Sequence, residues 1–202
     1  MKKEYPAIAL IEFSSIATGI TAGDAMIKKS PISLFKAGTV SRGKYIVLIS
    51  GSVASVEESY KEGLNIGKDL VLDKLLLQDV HAQVIETMFG TRHKITKESF
   101  GIIETGSIAA TIEAADAGIK GANVTIIEMR LADSLGGKAF VMFNGKIEDV
   151  ETAIDIGANA ISNKALWRNK SIIPLLHAEL ADQINATTRF SLAEFQKIQG
   201  GE

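Results

Sequence analysis

Apolar and polar positions in the first third of the chain follow two different periods. Continuous apolar segments, which are typical of buried strands, lie at residues 7–13, 32–37 and 45–49. Apolar residues three or four positions apart, which indicate helices, lie between Ile16 and Ser30 and again from Val53 to Gly63. The predicted order of elements is therefore strand, helix, strand, strand, helix.

The next stretches are less regular. Residues 64–88 contain apolar groups that fit either a terminal helix or a helix followed by an edge strand. Residues 90–99 are polar and charged between two apolar segments, which predicts a linker. We therefore expect one domain at residues 1–92 and a second at residues 93–202. The C-terminal tail carries a capping-box pattern at Ser191, which fits either a short helix or a frayed terminus.

The second half of the chain repeats the first half in sequence. Residues 11–28 align with residues 103–120 at a constant offset of 92, and eleven of these 18 positions are identical. After the second strand the offset becomes 94, so the loop at residues 38–43 is two residues longer in the second copy. A loop that varies on a constant frame is a common place for function.

Composition and charge exclude several classes of protein. The net charge is −2 and the basic residues are interleaved with acidic ones, which argues against a nucleic-acid partner. The absence of Cys excludes disulfides, thiolate zinc sites and cysteine-bound iron–sulfur clusters. The first apolar segment contains Glu12 and lacks a signal-peptide cleavage pattern, and no apolar run approaches the roughly 20 residues of a membrane span. We therefore expect a cytoplasmic protein without a membrane partner.

The sequence carries no motif for catalysis or metal binding. His81, His93 and His177 lack the spacing of metal ligands, so no metal or other cofactor is expected. His81 and His177 occupy matching contexts, VHAQV and LHAEL, which predicts paired structural roles. Two Gly-Lys pairs, beginning at Gly43 and Gly137, are not Walker loops because no Ser or Thr follows the lysine.

Two glutamates, Glu12 and Glu104, stand at matching strand ends. Paired carboxylates can carry out acid–base catalysis. A strand-end carboxylate can also accept hydrogen bonds at a following helix N-terminus, where the helix dipole favours negative charge. We favour this second interpretation, because no other catalytic group accompanies the pair.

Three segments of the second half closely resemble the bacterial microcompartment shell domain. They are IIETGSIAATIEAADAGIKGANV, GKAFVMFNGKIEDVETAIDIGANA and IIPLLHAEL. The first half matches in the same unpermuted order, so the resemblance covers residues 7–180. It implies an α/β (α+β) chain of two tandem ferredoxin-like domains, which serves as a structural shell protein and not as an enzyme.

The resemblance also implies partners and sites. Three chains would form a homotrimeric, pseudohexagonal tile that joins other shell proteins in the microcompartment shell. A central pore for small polar metabolites would be lined by Ser41, Arg42, Gly43, Ser134, Leu135, Gly136 and Gly137. Tiles would meet edge to edge through Lys28, Lys120 and Asn123. Three copies of Arg42 around one opening should favour anions.

Two positions depart from the family's pattern, and two other interpretations of the chain compete with it. Pro31 stands in the first half where the second half has Asn123, and Leu175 stands where the family often has Arg. One alternative is a regulatory protein of tandem ferredoxin-like domains that binds a small molecule between subunits. The other is a cofactor-independent enzyme that uses Glu12 and Glu104. Extended flat sheets in the electron microscope would favour the shell protein.

Overall fold

Each half of the chain forms a four-stranded antiparallel sheet with helices packed on it, in a computed structural model that describes residues 7–96 and 98–195. The first half contains β1 (Ala7–Phe13), α1 (Ile16–Lys29), β2 (Leu34–Val40), β3 (Lys44–Gly51), α2 (Val53–Gly67), β4 (Val71–Leu77) and α3 (Ala82–Met88). The second half contains β5 (Ser99–Thr105), α4 (Ile108–Gly121), β6 (Thr125–Leu131), β7 (Ala139–Gly145), α5 (Ile147–Ala160), β8 (Trp167–Ile173) and α6 (Ala178–Ala186). The strand orders, β2-β3-β1-β4 and β6-β7-β5-β8, are equivalent, which confirms two tandem domains of one α+β fold.

The order of elements predicted from the hydrophobic pattern is confirmed in both halves. The second strand differs most from its prediction, because β2 runs to Val40 and not only to residue 37. Its last residues still pair with β3, Gly38 opposite Ile46 and Val40 opposite Lys44. The first loop is therefore shorter than predicted and consists of a single 3-10 turn at Ser41–Gly43.

Residues 64–88 match the second of the two interpretations, a helix followed by an edge strand, and add another helix. The helix is the end of α2, and β4 pairs with β1 at the edge of the sheet. The additional helix, α3, is not predicted because its seven residues are too few to reveal a helical period. Its Gln83 side chain accepts a hydrogen bond from the Ile126 amide of β6 at 3.0 Å, so the first half ends on the second sheet.

The predicted linker packs against the second half. The His93 amide donates to the Ile127 carbonyl at 2.9 Å, and the Thr96 amide donates to the Asn144 side chain at 2.8 Å. In the tail, the described residues form one 3-10 turn at Phe190–Leu192, and the short helix, one of the two alternatives for this segment, is not formed up to residue 195. Residues 196–202 lie outside the described residues.

The two faces of β1 pack against different parts of the chain. Ile11 and Phe13 face α1 and α2 in the core of the first half. Ile8 and Leu10 point to the opposite face and belong to a cluster that extends to α4 in the second half. Every residue of β1 is buried, because both faces of the strand are covered. Within residues 7–96 and 98–195, no helix is long and apolar enough to cross a bilayer.

The helix pair of the second half packs backbone to backbone. A Cβ atom on Gly157 would lie 2.7 Å from the Ala114 carbonyl oxygen, and one on Gly118 would lie 2.9 Å from the Ala153 carbonyl oxygen. The equivalent of Gly118 in the first half is Met26. A flexible methionine side chain therefore fills the space that the second half closes by direct helix contact.

This difference predicts unequal effects of alanine at two equivalent glycines. Alanine is favoured over glycine in helices by about 0.8–1 kcal/mol. At Gly157 the new methyl group would press on a backbone oxygen, and overpacking of this kind costs about 1–3 kcal/mol. We expect Gly157→Ala to lower the urea midpoint of unfolding more than Gly63→Ala, whose nearest neighbours are the movable side-chain ends of Met26 and Ile11. A Gly157→Ala variant at least as stable as Gly63→Ala would contradict this packing.

Candidate assembly interface

Glu12 joins the two halves of the chain. It is the penultimate residue of β1, its side chain is 0% exposed, and it lies on the face that packs against α4. Its Oε1 accepts hydrogen bonds from the Ile108 amide at 2.6 Å and the Ala109 amide at 3.0 Å. The first amides of a helix have no intrahelical partner and carry a partial positive charge, so the carboxylate satisfies the N-terminus of α4.

Lys44 completes the environment of this carboxylate. Its Nζ donates to Glu12 Oε2 at 3.0 Å and to the Gly106 carbonyl at 3.3 Å, and its side chain is only 12% exposed. Burial raises the pKa of Glu12 above its usual value of 4.5, although Lys44 and the Ala109 amide favour the ionised form. Removal of one partner would therefore leave the other buried without compensation.

A second band of hydrogen bonds joins the halves along α4. Ser107 caps this helix and also donates to the carboxylate of Asp73 on β4. Asp116 accepts from the His81 amide at 2.8 Å, and Lys120 bonds both Asp116 and the carbonyl of Asp79. The junction therefore combines hydrogen bonds with the packed apolar side chains of β1 and α4, and we call it the seam.

The structure does not give Glu104 the role that Glu12 has. Glu104 pairs with Lys138 at 2.8 Å, and the two side chains remain 36% and 56% exposed. The expectation that a strand-end glutamate binds a helix N-terminus is thus correct for Glu12, but the helix is α4 and not the following α1. Because backbone amides and Lys44 occupy the carboxylate of Glu12, the two glutamates do not form a catalytic pair.

The predicted pore loops lie beside each other within one chain. Arg42 adopts a left-handed backbone conformation, with φ of 69°. Its side chain covers Gly137, where a Cβ atom would lie 2.8 Å from Arg42 Cδ. Ser134 and Gly136 are also left-handed, with φ of 59° at each, so the second loop turns tightly on itself. Ser134 and Gly136 are exposed, whereas Gly137 under the Arg42 side chain is buried.

The predicted edge residues occupy three different environments. Lys28 is exposed and forms an ion pair with Asp24 at 2.7 Å. Lys120 is held by Asp116 and Asp79 at the junction of the two halves. The side chain of Asn123 lies on the exposed surface after α4.

The pairing of glutamate with lysine at the domain junction is not among the predictions from the sequence. A signal was present, because Glu12 with Lys44 recurs as Glu104 with Lys138. Each lysine follows a loop glycine: Lys44 is the first residue of β3, and Lys138 immediately precedes β7. His81 and His177 occupy equivalent positions before α3 and α6, but only the His81 side chain caps its helix, by accepting from the Gln83 amide. The exposed His177 side chain contacts Glu179 instead. Within the described ranges no group of three His, Asp or Glu side chains is arranged to hold a metal ion.

Comparisons with known proteins agree with two repeated domains. The BMC domain family matches the chain twice, at residues 7–81 and 99–175. The chain is 33% identical over 178 residues to the bacterial microcompartment shell protein PduT of Citrobacter freundii, with 88% of this chain and 97% of that protein covered. A microcompartment protein of known structure from Desulfitobacterium hafniense has a TM-score of 0.77 and 38% identity, with 88% of this chain and 99% of that chain covered.

A shorter relative matches part of the chain. The shell protein PduA of Salmonella typhimurium is 34% identical over 84 residues, which is 42% of this chain and 87% of that protein. A single half of the chain is therefore equivalent to nearly the whole of that relative.

The buried pair predicts a pH-dependent loss of stability. Lys44→Met leaves the Glu12 carboxylate buried without its cation, so we expect the free energy of unfolding at pH 7 to fall by about 3–5 kcal/mol. Because the folded-state pKa of Glu12 lies above its unfolded value, protonation favours the folded chain, and ionisation opposes it as pH rises through the folded pKa. The loss should therefore shrink as pH is lowered from 7 towards 4.5.

Denaturant unfolding across this pH range measures the effect. The double variant Glu12→Gln/Lys44→Met is the control, because its neutral amide needs no cation and should remove the pH dependence. A loss in Lys44→Met that stays constant from pH 7 to pH 4.5 would contradict the assignment.

Proposed function

Because the chain belongs to the BMC domain family, with one BMC domain in each half, we propose that three copies of it form a pseudohexagonal tile with a central pore. The chain is a shell protein of a bacterial microcompartment, and its relatives are structural proteins and not enzymes. We place the domains at residues 1–92 and 93–202. The observation that carries the proposal is the position of the two loops, which lie side by side in one chain.

The pore follows from repeating this pair of loops around a threefold axis. Ser41, Arg42 and Gly43 of each chain would alternate with the second loop, which contributes Ser134, Leu135, Gly136 and Gly137. The second loop is two residues longer, so the opening has threefold and not sixfold symmetry. Three guanidinium groups in one narrow ring focus a positive potential, which favours the passage of small anionic or polar metabolites.

The edges of the tile would join neighbouring shell proteins. We assign this contact to Lys28, Lys120 and Asn123. Hydrogen bonds to Asp116 and Asp79 fix the amine of Lys120, which reduces the entropy that a free lysine would lose on packing. A long aliphatic side chain held in this way can lie along a flat neighbour.

The pore assignment predicts a loss of anion binding in Arg42→Glu. Crystals of wild-type tiles soaked in bromide should show anomalous density on the threefold axis. The variant should lose it because three positive charges become three negative charges around one ring. Lys146→Glu is the control, since Lys146 lies at the opposite end of β7 from the second loop and has the same charge change. Equal bromide occupancy in wild type and Arg42→Glu would exclude Arg42 from the pore.

The edge assignment predicts that Lys120→Ala separates trimer formation from sheet formation. The recorded hydrogen bonds of Lys120 stay within its own chain, so the trimer mass should be unchanged by light scattering. Negative-stain images should show extended sheets for wild type and for Lys61→Ala, and few sheets for Lys120→Ala. Lys61 serves as control because its ion pairs lie on its own helix. Loss of the trimer in Lys120→Ala, or sheets as large as those of wild type, would contradict the assignment.

A further inference from the structure

A cavity of about 290 Å³ lies between the two halves of the chain, and basic side chains from four separate segments line it. They are Lys36 on β2, Arg92 in the linker, Arg130 on β6 and Arg189 after α6. Two carboxylates, Glu128 and Asp133, also line the cavity, so its wall carries two more positive than negative charges. The volume lies at the lower end of the range for cavities that bind small molecules.

One of the four basic groups already has a structural role. Arg92 Nη2 lies 3.0 Å from Glu128 Oε2, so these two charges compensate each other. The same guanidinium donates to carbonyls of the last turn of α6, at 3.2 Å to Asn185 and 3.3 Å to Ala186. Arg92 therefore fixes α6 against the second sheet, and the excess of positive charge comes from the other three basic groups.

The guanidinium of Arg130 is held in place without an anionic hydrogen-bond partner. It donates to the Thr188 carbonyl at 3.4 Å and to the Asp133 carbonyl at 3.5 Å, which are both long for hydrogen bonds. The carbon at its centre lies 5.7 Å from the centroid of the Phe140 ring, and this cation–π contact orients its plane. Arg130 is therefore positioned on β6 with donors that a stronger acceptor could take.

Lys36 and Arg189 supply two further cations without partners. Both residues are exposed, and neither side chain forms a hydrogen bond or an ion pair with the residues in 7–96 and 98–195. Burial, together with the charge of Arg189, lowers the pKa of Arg130, although Glu128 and Asp133 oppose this shift. An anion placed among the three basic groups would relieve their mutual repulsion.

The fold does not require basic residues at these positions. Gly38 in the first half is the equivalent of Arg130, 92 positions later, and Glu128 is the equivalent of Lys36. The two sheets nevertheless have the same strand order, and all four residues pair with the neighbouring strand in the same way. The positive charge of the cavity is therefore not needed to build either sheet.

We propose that this cavity binds the phosphoryl group of a small molecule, which Arg130, Arg189 and Lys36 hold together. A phosphoryl group carries about −1.5 to −2 charges at pH 7 and three acceptor oxygens, which match the excess charge and the number of basic groups. The planar guanidinium of arginine also fits two oxygens of one phosphate at once.

The proposed site is separate from the proposed pore. The residues that line the cavity include none of Ser41–Gly43 and none of residues 134–137. All of its groups belong to one chain, so the site needs no second copy. A trimer would hold three such sites but only one ring of Arg42.

The first test is calorimetric titration of the full chain with inorganic phosphate at pH 7. We expect one phosphate per chain, and affinity that falls about tenfold or more in Arg130→Gln/Arg189→Gln, because hydrogen bonds to charged groups are lost. Lys61→Gln/Lys146→Gln removes the same charge from surfaces outside the cavity and should bind like wild type. Arg42→Gln should also bind like wild type. Equal affinity in the arginine double variant and wild type, or loss of binding in Arg42→Gln, would overturn the proposal.

The second test predicts a gain, which a folding defect cannot produce. Asp133→Asn removes a carboxylate from the wall of the cavity, so phosphate should bind about two- to fivefold more tightly. Asp69→Asn, an exposed aspartate outside the cavity, has the same charge change and should bind phosphate like wild type. Weaker binding in Asp133→Asn would overturn the proposal.

The third test separates a phosphate ester from free phosphate. Apolar side chains line another part of the cavity, namely Met88, Met129 and Leu131. If the ligand is an ester, propyl phosphate should bind about fourfold more tightly than inorganic phosphate for each methylene group that these side chains bury. Equal affinity for the two would identify free phosphate as the ligand. Malonate, a dicarboxylate, should bind more weakly than either. Malonate binding as tightly as phosphate, or no phosphate binding by wild type, would overturn the proposal.

Discussion

The carboxylate of Glu12 is buried in an otherwise apolar seam, and a buried charge is tolerated only if every oxygen finds a partner. Two amides of α4 and the amine of Lys44 supply those partners, and each of the three belongs to an element that must be in place for the contact to exist. The strand, the neighbouring strand and the helix of the other half are therefore fixed relative to one another. The arrangement of the two domains depends on this interaction, since it sets which end of α4 meets which end of β1.

Because the chain is a tandem repeat, it carries the groups for this contact twice. Each half carries the same helix N-terminus and the same glutamate–lysine pair, but a single chain can join only one helix to one sheet. The first half thus keeps a helix with one exposed apolar side, and the Glu104–Lys138 pair of the second half stays partly exposed. The same chemistry that holds the domains together explains why Ile20 is exposed while Ile112 is buried, although the two residues occupy equivalent positions.

The fold was largely predictable because strands buried on both faces and helices with one apolar face leave clear periods. Residues 82–88 were missed because a seven-residue helix spans too few turns to show a period. The site was predicted in part. The capping role of Glu12 follows from its place at a strand end. The sequence does not show which helix it caps, because both faces of β1 are apolar. No local signal separates the face towards α1 from the face towards α4. The sequence gives Lys44 no partner, because Glu12 is 32 residues away along the chain.

The two copies differ in helix packing and in loop length. Met26 in the first half stands where Gly118 lets two helices of the second half meet, and the second loop is two residues longer than the first. In the tile that we propose, this difference in loop length would make the pore threefold.

A high-resolution structure of the assembled protein tests the central claim most directly. We expect the Glu12 carboxylate to stay within hydrogen-bond distance of the Ile108 and Ala109 amides of its own chain, as in the single chain, where these distances are 2.6 and 3.0 Å. We also expect Arg42 of each copy to lie at the threefold axis. An assembly in which Glu12 has lost both amides, or in which Arg42 lies at the outer edge of the tile, would contradict the account.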